Sequence, residues 1–424
     1  MEFEKIYNKK LNETLYKGRH KSGLMVYVLP KQGFSKSYAS FAARVGSIDN
    51  EFIAPGDTEP TKIPDGVAHF LEHKMFEQPD GTNSFDSFSK TGASANAYTS
   101  FTTTAYIFSS TDRFYENLEI LLDYVEKPHF TDENVAKEQG IIGQEIRMYD
   151  DDPNWRVFFN LLTALYEKHP VRNDIAGTVE SIAKIDKDLL YKCYHSFYNP
   201  SNMILFTCGD VECDKVAQVV DKYVTNAPLG EIKRIFPNEP ENVNKKLVEQ
   251  KLSVANPLFM IGFKDNDLGK TGSEMMRKII VTEILNRMLV GKSSKTYNSL
   301  YEKGLINDSF FFEYSCEADY AFAAMGGEST DPNAAKEEIL EGIKKAELLE
   351  EDFLRCKKSL IGRFLRMFNS VEGLSNVFVS SIFQGMDMFE YLDICESVTL
   401  EEARLRKEYL FREENCAMSI VWPN

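Results

Sequence analysis

Apolar positions along the first half of the chain change period several times, and each change predicts an element. Residues 24–30 (LMVYVLP) and 38–45 (YASFAARV) are dense in β-branched and aromatic side chains and are separated by the polar run KQGFSKS. Such a pattern predicts two strands of a hairpin or meander. From Gly66 to Phe76 the period lengthens: Val67, Phe70, Leu71 and Met75 recur at helical spacing, with Asp65 placed to cap the first turn. Thr, Tyr and Phe dominate residues 93–109, which predicts a further strand pair. Helical periods return over 113–127 and 131–149, the second opening at Thr131 or Asp132 with acidic residues in its first turn.

Residues 226–246 then gather three prolines, a glycine and mixed charges without periodicity. Behind them the same order recurs: an apolar strand (PLFMIGFKD), a helical pattern over 273–290, a Phe/Tyr-rich strand region over 309–327 and more helices. Strands and helices in this order indicate an α+β fold rather than strict βαβ alternation. The repetition indicates two homologous domains, each a β-sheet covered by helices, although no residue-level repeat is visible. A chain of 424 residues also exceeds the roughly 250–300 residues that one core can serve. The expected domains are 1–228 and 249–424, joined by a linker over 229–248.

Composition narrows the function classes. Hydrophobic residues at 43% and charged residues at 27% describe a globular chain, and a net charge of -16 argues against a nucleic-acid partner. No apolar run approaches the roughly 18 residues of a membrane span. The opening MEFEKIYNKK has no apolar run behind it, so no secretory signal is expected. Seven cysteines without a C-x-x-C pair read as reduced thiols of a cytoplasmic protein.

Chemistry concentrates in His69-Phe70-Leu71-Glu72-His73, an H-x-x-E-H string on the first predicted helix. Histidines four apart lie one turn above the other on one face, the spacing that two ligands of a single ion require. Glu72 sits on the same turn, placed to act as general base on a water. Zinc catalysis needs a third protein ligand, and the helix over 131–149 offers Glu138 and Glu145, seven residues or two turns apart. One of the two could bind metal while the other orients a ligand or water. Gly140 and Gly143 in that helix suggest a close approach by another backbone. The remaining histidines, His20, His129, His169 and His195, carry no comparable pattern; His195 is expected to be buried or half-buried, and a second metal site is not expected.

In GVAHFLEHKMFE (66–77), GASANAYTSFTTTAY (92–106), EQGIIGQEI (138–146), HPVRNDIAGTVESI (169–182) and YNPSNMILFTCGDV (198–211), the chain resembles the pitrilysin/insulinase family of zinc endopeptidases. Within that family the resemblance is to the bacterial, mitochondrial-processing-peptidase-like branch of YmfH type. It implies one Zn2+ per chain held by His69, His73 and Glu145, with Glu72 as catalytic base, Glu138 as supporting glutamate and a metal-free second domain. It further implies that Asn96 and Ala97 lie on a strand that binds substrate backbone by strand addition. Where active relatives carry an arginine and a tyrosine in a pattern like R-E-K-x-G-L-A-Y, this chain reads Tyr301-Glu302-Lys303-Gly304-Leu305-Ile306-Asn307. Tyr301 and Asn307 therefore stand in their places. The resemblance implies a zinc-dependent endopeptidase cleaving unfolded peptides in a chamber formed with a homologous second chain, a heterodimer rather than a homodimer. The alternative is a non-catalytic scaffold or binding subunit of such a pair.

Overall fold

Backbone pairing turns the predicted strand runs into three sheets among the described residues, which are 1–79 and 81–424 of this computed structural model. In chain order the first strands are β1 (Phe3–Asn8), β2 (Glu13–Arg19), β3 (Met25–Pro30), β4 (Ser37–Ala43), β5 (Glu51–Ile53), β6 (Thr61–Lys62), β7 (Ser94–Thr99), β8 (Thr104–Ser110), β9 (Met203–Gly209) and β10 (Lys233–Arg234). Seven of them form one sheet in the order β1-β2-β3-β9-β4-β8-β7, while β5, β6 and β10 form a small one. The chain continues with β11 (Leu247–Leu252), β12 (Leu258–Lys264), β13 (Phe311–Cys316), β14 (Ala321–Glu328) and β15 (Cys416–Pro423), ordered β11-β15-β12-β14-β13.

Five strands of the large sheet repeat the plan of the last one. In β3-β9-β4-β8-β7 and in β11-β15-β12-β14-β13 the first pair is parallel and the other neighbours are antiparallel. Both halves thus share one α+β topology, as the recurring element order predicts, and β7 and β13 occupy equivalent edges. The inner strands β4, β9 and β12 are buried at every position, so they read as mainly apolar runs without a polar face, with Ser40 and Thr207 buried among them.

Packing gathers the chain into two compact units that are not consecutive blocks. The first comprises Met1–Ile146, Asp174–Ile235 and Leu365–Phe383; the second comprises Arg147–Asn173, Phe236–Phe364 and Gln384–Asn424. Five helices of the first half are α1 (Val67–Lys74), α2 (Ser84–Thr91), α3 (Phe114–Val125), α4 (Asp132–Asp151) and α5 (Pro153–Leu165). Of these, α5 packs on β12 and β15, and the helix Val371–Phe383 packs on β4 and β9. A cut through residues 229–248 therefore divides the chain but not its packing. Gly262 on β12 makes room for α5, since a Cβ there would lie 2.8 Å from the Leu165 side chain.

Two local expectations differ from the structure around α1 and α4. Asp65 does not cap α1: its side chain accepts from Asn50, and the helix starts from Gly66 at φ 93° and ψ -5° without a side-chain cap. A Cβ on Gly66 would lie 2.4 Å from the Ala176 carbonyl oxygen, and one on Gly177 (φ 75°) would lie 2.6 Å from the Asp65 carbonyl oxygen. Ser181 Oγ donates to that same Asp65 oxygen at 2.8 Å, so the loop 174–181 and the start of α1 interlock. Gly140 and Gly143 do not admit a neighbouring backbone. Nothing lies within 4 Å of a Cβ on Gly140, and Gly143 would meet only the Ile182 side chain at 4.0 Å.

Candidate metal centre and active site

The apolar stripe of α1 seats Val67, Phe70 and Leu71 in the core of the first unit and turns its other face toward α4 and β7. Below α1, Phe76 stacks on Tyr124 with ring centroids 5.2 Å apart, and Tyr106 shares a 2.8 Å hydrogen bond with Tyr198. Each such buried aromatic contributes roughly 1.5–3 kcal/mol of transfer free energy, which fixes the position of the helix.

On the polar face, His69 and His73 meet with ring centroids 4.6 Å apart. Glu145 reaches them from α4: its Oε2 lies 3.8 Å from His69 Nε2 and 3.4 Å from His73 Nε2. One ligand atom from each of the three residues falls within 4.8 Å of the others, and this is the single such group of metal-ligating side chains among the described residues. Glu138, two turns earlier on α4, does not join them. Its Oε1 lies 3.0 Å from His73 Nδ1, on the far side of that ring. The seven-residue spacing thus places both carboxylates on one face, with one among the donors and one behind a histidine.

Burial and its neighbour His73 push the His69 pKa down to about 3, so its ring is neutral and able to donate a lone pair. Burial acts the same way on His73, but the hydrogen bond to Glu138 and the carboxylates of Glu145 and Glu72 outweigh it and raise its pKa. For Glu138 burial works upward, and the hydrogen bond with His73 together with His73, Lys74 and Lys137 brings the pKa below the ordinary value. Two imidazoles and one carboxylate are the donor set of a catalytic zinc site, and the neutral His69 fits that role.

Glu72 lines a cavity of about 470 Å³ that also takes in His73, Asn96, Ala97 and Glu138. Its Oε2 accepts from Thr99 Oγ1 at 2.7 Å, and burial raises its pKa. Thr99 was not singled out by sequence reasoning; its signal is the alternation along β7 that puts Ala97 and Thr99 on one face. Asn96 and Ala97 lie on the edge strand β7, opposite Ile107 and Tyr106 of β8. Asn96 is exposed, and its Oδ1 accepts from the Ala97 N–H at 2.9 Å. In the second unit Tyr301 is exposed and stacks on Tyr297, and Asn307 donates to Glu328 at 2.8 Å. His195 is exposed against expectation, with its ring beside Tyr191. Among the described residues no helix is long and apolar enough to cross a membrane.

The family described as Insulinase (Peptidase family M16) matches residues 52–179, and that described as Peptidase M16 inactive domain matches residues 184–360. The chain is 46% identical over 404 residues to YmfH, an uncharacterised zinc protease of Bacillus subtilis, spanning 94% of each. The crystal structure of a protein from Alicyclobacillus acidocaldarius described as an M16-like peptidase superimposes with a TM-score of 0.93 at 35% identity, covering 100% of this chain and 99% of that one. The periplasmic protease PqqL of Escherichia coli shares the fold at 17% identity and a TM-score of 0.75, with 97% of this chain covering 48% of PqqL. The sequence motifs, the duplicated topology and these likenesses agree: the chain belongs to the insulinase (M16) family of zinc peptidases and is similar to its YmfH-type members.

Proposed function

We propose that this chain is a zinc-dependent endopeptidase that cleaves extended, unfolded peptides in a chamber closed by a second, homologous chain. The observation that carries the reading is the convergence of His69, His73 and Glu145 within 4.8 Å, beside Glu72 and an unpaired sheet edge. One zinc ion held by His69, His73 and Glu145 would supply Lewis acidity, polarising the scissile carbonyl and acidifying the attacking water.

The chain's own residues supply the rest. Glu72, held by Thr99, accepts the proton of the attacking water and delivers it to the leaving amine. Its raised pKa suits both halves of that transfer. Glu138 fixes the His73 ring from behind. Along β7, Asn96 and Ala97 offer backbone groups to an extended peptide once the Asn96 side chain releases the Ala97 N–H. Seven free thiols favour a reducing, cytoplasmic setting.

Tyr301 and Asn307 stand where the family's substrate-contacting arginine and tyrosine are expected, so activation and orientation are divided between chains. Orientation accounts for several kcal/mol of a barrier, which makes the chain alone a weak enzyme. In PqqL the same fold accounts for 48% of a longer single chain. The intact donor set favours catalysis over a scaffold role. The test is hydrolysis of a quenched peptide library by the chain alone and with a co-purified homologue carrying the arginine and tyrosine. Zinc-dependent turnover that rises with the homologue and vanishes in Glu72→Gln supports the reading. Turnover that survives Glu72→Gln contradicts the mechanism, and full turnover by the chain alone contradicts the divided site.

A further inference from the structure

The apolar register of α1 is broken at one position. Val67, Phe70 and Leu71 set a stripe whose next member, seven residues after Val67, is Lys74. The position behaves as the stripe demands, because Lys74 is 0% exposed and is followed by the buried Met75 and Phe76. A lysine in such a place needs carboxylate partners, and it has two. Its ammonium pairs with Glu77 and lies 3.7 Å from Glu138 Oε2.

The second contact links Lys74 to the metal centre. Glu138 presents Oε1 to His73 Nδ1 at 3.0 Å and Oε2 to Lys74, so its carboxylate is held at both oxygens. The opposite nitrogen of the same ring, His73 Nε2, faces Glu145 at 3.4 Å. His69 lacks any such support, since its Nδ1 is buried with no partner among the described residues. Orientation of the donor pair by hydrogen bonding therefore runs through His73 alone, from Glu138, with the Lys74 ammonium as the ion-pair neighbour of that carboxylate.

We infer that Lys74 is a positioning residue of the metal centre: it clamps the Glu138 carboxylate so that His73 is held with Nε2 toward the ion, and it does so from inside the hydrophobic core. An apolar side chain at the same place would satisfy the core and leave Glu138 held at one oxygen only. The inference rests on the metal-centre reading above, but not on peptidase activity.

Zinc dissociation constants, measured by chelator competition on the full chain, test it as a double-mutant cycle of wild type, Lys74→Met, Glu138→Gln and the double variant. Partners behind a metal ligand typically contribute 10–100-fold to affinity. Lys74→Met is expected to weaken zinc binding by about tenfold in the wild-type background and by less than about twofold in the Glu138→Gln background, because its effect passes through Glu138. Melting of the metal-free variants separates this from general destabilisation, which would lower affinity by the same factor in both backgrounds. Equal losses in both backgrounds, or no loss in either, overturn the inference while leaving the metal centre intact. A wild-type chain that binds no zinc overturns both.

Discussion

Gly66→Ala tests how the start of α1 is held, and with it the seat of His69 and His73. At φ 93° a residue with a Cβ pays about 1–2 kcal/mol of conformational strain. The new Cβ would also sit 2.4 Å from the Ala176 carbonyl oxygen, so that oxygen must retreat by about 1 Å to reach van der Waals distance. Its retreat is opposed by Gly177, whose own close approach to Asp65 ties the loop back to the helix start. Overpacking of this kind costs about 1–3 kcal/mol, giving about 3 kcal/mol in all. Gly140→Ala is the counterpart in α4: with open space around the site and a helical interior position, it should gain roughly 0.5–1 kcal/mol. Urea unfolding of both variants, followed by far-ultraviolet circular dichroism, measures the two changes against wild type. A Gly66→Ala variant within about 0.5 kcal/mol of wild type, or two losses of equal size, would refute the reasoning.

Two carboxylates, the half-buried Glu126 and the buried Asp265, predict opposite pH dependences. Burial pushes the Glu126 pKa up to about 7 against a partly offsetting hydrogen bond from Asn226, so the folded state holds its proton more tightly and stability falls as pH rises from about 4.5 to 7. Glu126→Gln should therefore stabilise the chain by up to about 3 kcal/mol at pH 8 and by nothing at pH 4, read from melting curves at each pH. Asp265 shows the reverse: burial works upward, but Arg406, Lys278 and Tyr314 bring its pKa down to about 2. Its contribution is present above about pH 4 and is lost as pH falls toward 2. Asp265→Asn should cost about 3–5 kcal/mol near neutral pH, by leaving buried cations unpaired, and much less in acid; a pH-independent loss would exclude the ion-pair account.

Much of this architecture is legible along the chain because the periods are clean. The runs 24–30 and 38–45 match β3 and β4, 93–109 matches β7 and β8, and the helices expected over 113–127 and 131–149 are α3 and α4, all to within two residues. The reciprocal exchange of α5 and the helix Val371–Phe383 was not legible. An amphipathic pattern shows which face of a helix is buried but not which sheet buries it. Asp65 failed as a cap because a positive-φ glycine and the loop 174–181 settle the helix start, a tertiary constraint that no local signal carries. The candidate donor group was readable in part: helical spacing puts His69 and His73 on one face and sets Glu138 and Glu145 two turns apart, while the choice of Glu145 over Glu138 came from the family resemblance. Thr99 and Lys74 were not, since their roles depend on contacts across elements distant in sequence.

Zinc content tests the central claim most directly. Elemental analysis of the purified chain should find about one zinc per chain, largely lost in His69→Ala, His73→Ala and Glu145→Gln but mostly kept in Glu138→Gln, which sits behind His73 rather than among the donors. Full occupancy in the histidine variants would contradict the site itself, and loss in Glu138→Gln with retention in Glu145→Gln would exchange the roles of the two glutamates.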